Sequence, residues 1–435
     1  MFKDLFKNVS IALILVPLVL TVVGVLFIFS TGGGPNHFLY IKQIAWVLFG
    51  LVIAVFLLNI DYFRLIEISP YLYAVGLVLL VVTLLLGQSV RGAKSWIRIG
   101  EFGIQVSELM KVFFILFLAK YLSSAPVTEK KFRVFLVSLG IMLLPVILII
   151  VQPNLGTALV YVCIFLTMAY LGFEDDRYVL YILVVGISTA AVIILTAFYK
   201  YYLQNGGVSI GWIDFLLNFK TLGILSGTLL LYAALVLLVN FFRPIALMQR
   251  LVPAALISGI SLLTAAAAIR VLKPFQWLRF LVLISPEFDK NGAGYNIIQS
   301  KIAIGSGGLF GKGLFQGTQN TLGFLPEKNT DFIFSVIGEE TGFFGTSLVI
   351  GLFVFYLFNL VRTLQNARDR EGMLAAAGLL ALFGTHFLVN IGMTLGIIPV
   401  AGLPLPFISY GGSAYITFIG AAAIVANING RRFVH

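Results

Sequence analysis

Unbroken apolar stretches, each about 18 residues or longer, recur from one end of this chain to the other. A helix rising 1.5 Å per residue needs about 20 such residues to cross a hydrocarbon layer ~30 Å thick. Hydrocarbon offers the backbone no hydrogen-bond partners, so a crossing chain must satisfy itself as helices or as a closed barrel. A barrel strand alternates apolar and polar residues, and these stretches do not. Helices remain. Composition agrees, with 60% hydrophobic and 11% charged residues, against about 25% charged in a soluble domain. The expected fold class is an all-α polytopic integral membrane protein.

Spans are expected near 9–30, 41–59, 71–87, 107–122, 134–151, 155–172, 178–198, 222–240, 252–272, 332–360, 373–396 and 407–428. That makes about 12 transmembrane helices, an even number that puts both termini on one side. The first run is too long for a signal-peptide core and lacks a small-x-small cleavage site, so it reads as a retained span. Short segments on the N-terminal side collect Lys3, Lys7, Lys130, Arg133, Arg243, Arg362, Arg368, Arg431 and Arg432. By the positive-inside rule both termini are then cytoplasmic. Two more basic clusters, Arg91 to Lys111 and Arg270 to Lys328, fall on the outer side. A long loop translocates whatever its charge, which accounts for the second cluster without any function. The shorter first one, with Arg91, Lys94, Arg98 and Lys111, suits an anionic head group at the outer surface. The formal net charge of +11 has no nucleic-acid reading, since it is spread over two faces with no basic tail or binding motif. Cys163 is the single cysteine, and His37, His386 and His435 are too scattered in sequence to suggest a metal site.

Five segments carry polar residues where chemistry can occur. In the first, Val90 to Lys111, Trp96 suits a membrane interface, Ser107 is placed to cap the next helix, and Glu108 and Lys111 share a helix face three residues apart. A structural ion pair is the plain reading of Glu108 and Lys111. Ionisable pairs near hydrocarbon usually face a polar cavity, which favours the functional one. The second, Gln152-Pro153-Asn154-Leu155-Gly156-Thr157, is a helix break or a tight hairpin turn. The third is a long outer loop, 273–330, with no obvious element of its own. Its glycine-rich run Gly305 to Gly313 fails as a phosphate loop. Ser306 stands where the first glycine should be, and Gly313 where Ser or Thr should be. What survives is a generic anion site of exposed amides beside Lys301 and Lys312. In the fourth, Asp331 sits where polar loop becomes apolar helix, and Ser335, Gly338, Gly342 and Gly345 would continue on its face. A helix cap, from Asp331 or Thr330, is the plain alternative. Glu339 and Glu340, deeper in that helix, are expected to pair with loop cations or shape a cavity. The fifth, Gly396 to Ser413, has three prolines and reads as a re-entrant turn, tolerated only where protein or a wet cavity surrounds it.

Together these segments resemble the SEDS family of peptidoglycan polymerases, over most of the chain and in the same order. The stretch Gly292 to Glu340, with Gly317-Thr318-Gln319 and Phe324-Leu325-Pro326-Glu327, looks like the RodA branch more than the FtsW branch. The resemblance implies a peptidoglycan glycosyltransferase of the bacterial cytoplasmic membrane, acting on its outer face in cell elongation and shape. Lipid II is the implied substrate and a polyprenyl diphosphate the leaving group. The family's catalytic Asp falls on Asp331 within Asn329-Thr330-Asp331-Phe332. Its Trp and Glu-x-x-Lys positions fall on Trp96, Glu108 and Lys111. Arg98, Lys111, Lys301 and Lys312 are the candidates to stabilise the diphosphate, with a divalent cation (Mg or Mn) as the alternative and no other cofactor. A class B penicillin-binding protein and membrane lipids are the implied partners. The sequence departs from the family pattern at Val106 (Pro in the family), Asn154 (Asp) and Asn329 (His). The family has about ten spans. One membrane domain, 1–435, is therefore expected to hold that core plus an inserted helix pair in 177–250, with 273–330 as a large extracytoplasmic catalytic loop. Two rivals are a flippase or transporter for lipid-linked precursors and a non-catalytic scaffold for a cell-wall transpeptidase. No transporter-type internal repeat supports the first.

Overall fold

The computed structural model describes residues 9–32, 38–90, 93–99, 102–125, 131–173, 177–204, 210–242, 246–271, 274–289 and 292–432. Of the residues singled out above, Lys3, Lys7, His37, Arg91, Lys130, Arg243 and His435 lie outside them.

Long helices form at all twelve expected positions. They are α1 (Ile11–Ser30), α2 (Leu39–Asn59), α4 (Ser69–Leu86), α5 (Val106–Ser124), α6 (Lys131–Val151), α7 (Leu155–Gly172), α8 (Arg177–Phe198), α10 (Phe219–Phe242), α11 (Ala246–Val271), α15 (Ile333–Gln365), α16 (Arg370–Thr394) and α17 (Gly412–Gly430). Short helices α3 (Tyr62–Glu67), α9 (Gly211–Leu216), α12 (Pro274–Leu281), α13 (Ala293–Ser306) and α14 (Thr318–Thr321) lie between them. Among the described residues, eleven helices are long and apolar enough to cross a membrane. The exception is α5, which carries Glu108, Lys111 and Lys120. The protein is a multi-pass, all-α membrane protein.

Three features differ from expectation. Three strands, β1 (Gln88–Val90), β2 (Ala93–Ile99) and β3 (Phe102–Ile104), form a small antiparallel meander, with Ile97 opposite Ile104 and Arg98 opposite Gly103. The loop 273–330 contains α12, α13, α14 and a single 3-10 turn, Pro286–Asp289. Third, α15 is broken: Gly342 has φ 65° and ψ −158°. The helical stripe from Ser335 and Gly338 therefore stops at Gly342 and does not continue to Gly345. A positive φ is open to glycine at little steric cost, which is why the break falls there.

The chain forms two compact units, Met1–Glu174 with Asn296–His435, and Asp175–Tyr295. The second begins where the expected insertion 177–250 begins and runs on through α11 and α12. Within it α10 packs on α11, where Ser226 Oγ donates to Gly259 O (2.8 Å), and α8 packs on α11 through Ser188 and Ser261 (Oγ to Oγ 2.6 Å). Ile193, Ala197, Ala265, Trp277 and Leu281 form its apolar centre. In the first unit α17 is buried along nearly its whole length among α1, α2, α5, α15 and α16. Its run Gly420-Ala421-Ala422-Ala423 keeps the backbones close, the usual route to helix packing where apolar lipid gives no hydrophobic drive.

Candidate active site

Between α16 and α17 the chain leaves helical form for Gly396–Gly411, which is buried at Leu403 and from Leu405 to Ser409. Buried backbone carbonyls must find donors, and neighbouring side chains supply them. Asn390 Nδ2 donates to Leu403 O (2.7 Å), and His386 Nδ1 lies 3.0 Å from Pro404 O. Ser409 Oγ accepts from Leu405 N (2.8 Å) and donates to Thr330 O (2.6 Å). Two helices press their backbones on this segment. A Cβ on Gly24 of α1 would lie 2.6 Å from Ile408 Cα, and one on Gly156 of α7 would lie 2.0 Å from Ala401 O. The segment Gln152–Thr157 is thus a turn that brings α7 against Ala401. Asn154 caps α7 by accepting from Thr157 N (3.2 Å).

The Asp331 motif docks on this same segment. Tyr410 N donates to Asn329 O (2.9 Å), and Asn390 Nδ2 donates to Asp331 O (2.9 Å) as well as to Leu403 O. The half-buried Asp331 carboxylate lies beside Gly402, where a Cβ would stand 3.4 Å from Oδ2. The N-cap position of α15 belongs to Phe332, and Thr330 Oγ1 turns back to Glu327 O (3.4 Å), so Thr330 does not cap α15.

Glu108 and Lys111 form a fully buried ion pair at 2.8 Å. Lys111 Nζ is also 2.9 Å from His386 Nε2. Pro404 O can only accept, so His386 carries its proton on Nδ1 and offers the Nε2 lone pair to the ammonium. A protonated imidazole would set two cations in contact. The pair is thereby joined, through one neutral histidine, to the segment that holds Asp331. Ser107 falls inside the first turn of α5, whose N-cap is Gln105, and its buried Oγ has no hydrogen-bond partner. The expected cap at Ser107 is not formed.

The other candidate cations divide into two kinds. Lys312 Nζ pairs with Glu339 Oε1 (2.7 Å) and donates to Thr318 Oγ1 (2.7 Å). Among the described residues Arg98 and Lys301 have no ion-pair partner. Arg98 is exposed on β2, on the same face as the half-buried Trp96 whose ring covers Gly103. Lys301 is exposed on α13, its side chain against Gly396 at the start of the re-entrant segment. None of the three cations Arg98, Lys301 and Lys312 is hydrogen-bonded to Asp331. The generic anion cradle is corrected outright. Lys312 N and Gly313 N donate to Glu339 O and Glu340 O (3.0 Å each), so these amides close the break in α15 and face no ligand. Glu339 also accepts from Gln319 N (3.0 Å), and Glu340 from Phe315 N (3.0 Å), Asn320 and Ser30. Both deep carboxylates clamp the loop. Lys328 donates to Asn320 O (2.6 Å), and burial pulls its ammonium below the usual lysine range.

Among the described residues, no three His, Cys, Asp or Glu side chains gather to hold a metal ion. A divalent cation at Asp331 would take most of its oxygens from water and the diphosphate, a mode common for magnesium. The sequence reading passed over three residues that build the site: His386, Asn390 and Ser409. The first two recur with Thr394 every four residues along apolar α16, a polar stripe that marks an inward face.

A sequence model of the FtsW/RodA/SpoVE family, described as "Cell cycle protein", matches residues 3–208 and 222–432. The chain is 39% identical to peptidoglycan glycosyltransferase RodA of Treponema pallidum, over 97% of each chain. It is 31% identical to peptidoglycan glycosyltransferase MrdB of Escherichia coli, over 97% of this chain and 93% of that one. The fold matches the structure of Thermus thermophilus rod shape determining protein RodA (TM-score 0.62, 22% identity, 98% of each chain). It also matches a chain described under "Structural coordination of polymerization and crosslinking by a peptidoglycan synthase complex" (TM-score 0.69, 23% identity, 98% of this chain and 99% of that one). The motifs, the helix order and these likenesses agree, and the chain belongs to the SEDS family, the FtsW/RodA/SpoVE group of membrane proteins.

Proposed function

We propose that this chain is a peptidoglycan glycosyltransferase that polymerises lipid II on the outer face of the bacterial cytoplasmic membrane, with Asp331 as general base. The reading is supported most by one observation: Asp331 projects beside Gly402 from a backbone pinned by Asn390 to the re-entrant segment. A base on so fixed a support can sit where an incoming hydroxyl must lose its proton. The acceptor sugar's 4-hydroxyl attacks the donor's anomeric carbon, and its proton passes to Asp331. The bond from that carbon to the diphosphate oxygen breaks, and the polyprenyl diphosphate leaves with the electron pair. Arg98 and Lys301, exposed and without carboxylate partners, are the cations able to neutralise it. Trp96 lies with Arg98 on one strand face, placed for the lipid-linked sugar. Lys111 and Glu108 set the scaffold, and Lys312 holds the loop. Both termini are cytoplasmic on the charge pattern. A class B penicillin-binding protein would supply cross-linking, and the RodA-like relatives favour a role in elongation.

The test is polymerisation of purified lipid II by the detergent-solubilised protein. Asp331→Asn should lower the rate by about 10²–10⁴-fold while the melting temperature holds. Full activity of that variant overturns the base assignment. Activity in detergent also separates polymerase from flippase, because transport needs a sealed membrane and bond formation does not.

A further inference from the structure

At the opposite end of α15 from Asp331, Ser10, Asn359, Arg362, Gln365, Asn366, Asn429 and Arg432 line a cavity of about 540 Å³. Among these described lining residues none is acidic. Its floor is fixed: Ser10 N donates to Asn429 Oδ1 (2.9 Å) and Ser10 Oγ to Asn359 Oδ1 (3.3 Å). At its edge the Arg362 guanidinium lies over the Phe358 ring, 4.4 Å from the centroid. Stacking of this kind holds the plane of the guanidinium and leaves its N–H edge to donate. Among the described residues Arg362 has no carboxylate partner.

The helix below the cavity carries an exposed apolar face. Leu348, Gly351, Val354, Phe355 and Phe358 are exposed at spacings of three and four, a stripe that continues upward into exposed Arg362, Gln365 and Asn366. An apolar face that ends at a cavity lined by two arginines matches a molecule with hydrocarbon tails and an anionic head. A solvated cation obeying the positive-inside rule needs neither a cavity nor a stacked orientation. We propose that this cavity binds the phosphate of an anionic phospholipid, whose acyl chains lie along the exposed stripe of α15. Arg362 and Arg432 contact the phosphate, and the amides of Gln365 and Asn366 contact the rest of the head group.

Purified full-length protein in detergent, titrated with dioleoyl-phosphatidylglycerol or dioleoyl-phosphatidylcholine and read by native mass spectrometry, tests this. The anionic lipid should be retained about ten-fold better, and each of Arg362→Gln and Arg432→Gln should reduce that preference about five-fold, the worth of one cation at such a surface. Arg368→Gln, an exposed cytoplasmic arginine outside the cavity, should leave it unchanged. An equal loss from Arg368→Gln would mean diffuse charge, and no loss from either cavity variant would mean no site; each overturns the proposal. Displacement of the lipid by millimolar inorganic phosphate would make a free anion the ligand and overturn the lipid assignment. Melting temperatures in detergent alone separate these effects from misfolding, and the two arginines give two independent variants.

Discussion

Two irregular stretches, Gly396–Gly411 and Gly307–Asn320, pack against the first turns of α15, and they are held in different ways. The first is held by side chains: Asn390, His386 and Ser409 reach carbonyls that no secondary structure satisfies. The second is held by backbone pairing together with the buried carboxylates of Glu339 and Glu340. Its amides at Lys312 and Gly313 meet the carbonyls of Glu339 and Glu340, and its carbonyls at Gly308 and Leu309 meet the amides of Phe343 and Phe344 (2.9 and 3.1 Å). The backbone part of this clamp depends on conformation, and its side-chain part on two carboxylates that take several donors each. A side-chain scaffold depends on a few polar atoms placed within tenths of an ångström. The first arrangement suits a site that must keep Asp331 in one place. The second suits a loop that must stay closed over a broken helix.

The largest effect is expected where the side-chain scaffold meets a buried charge. Lys111→Met leaves the Glu108 carboxyl buried in the bundle without its cation, a loss of about 3–5 kcal/mol, seen as aggregation on size exclusion and a lower melting temperature. Glu108→Gln with Lys111→Met removes the stranded carboxyl and should regain most of that stability. If the single variant melts like the parent, the pair does not support the fold. Asn390→Leu comes next. It leaves the carbonyls of Asp331 and Leu403 without their donor, at about 1–3 kcal/mol each. It should also lower kcat for polymerisation about 100-fold through displacement of the base, with KM little changed. A kcat loss no greater than the loss of folded protein would reduce Asn390 to an ordinary packing residue.

Much of the fold was readable because hydrocarbon leaves few choices. All twelve helices stand within about six residues of where apolar length put them, and Gly396–Gly411 is non-helical as its prolines required. The meander was overlooked although Lys94-Ser95-Trp96-Ile97-Arg98-Ile99 alternates as a strand does; with Lys94 and Arg98 on one face beside Arg91 it read as a charge cluster. The break at Gly342 could not be foreseen. It depends on carbonyls and amides some thirty residues upstream, at Gly308 to Gly313, and a lone glycine in a span is usually tolerated without a break. Within the site, Asp331 and the Glu108–Lys111 pair were visible through charge at membrane depth. His386 was seen and set aside, because a search for metal ligands asks for clusters in sequence and this histidine's partners, Lys111 and Pro404, are brought to it by packing.

The backbone clamp should break less sharply. Gly342→Ala meets Gly311 N at 2.4 Å with a φ of 65° that alanine resists, costing about 1–3 kcal/mol. The folded fraction should keep kcat within about ten-fold of the parent, since the hydrogen bonds that pin Asp331 are untouched. A loss as deep as that of Asn390→Leu would mean that the loop positions the base after all.

The finest distinction lies between two lysines of one loop. Among the described residues Lys301 is exposed and has no ion-pair partner, while Lys312 is 27% exposed and paired to Glu339. Lys312→Gln should therefore lower the melting temperature and scarcely move KM, because it removes the partner of a buried carboxylate. Lys301→Gln should leave melting unchanged and raise KM for lipid II about five-fold, the effect of one cation lost beside a diphosphate at the membrane surface. That KM effect should shrink as salt rises, since an exposed charge is screened over about 10 Å at 0.1 M. The salt series is the sharper measurement. A KM that rises for Lys312→Gln and not for Lys301→Gln would exchange the two roles, and with them the side of the loop that faces the substrate.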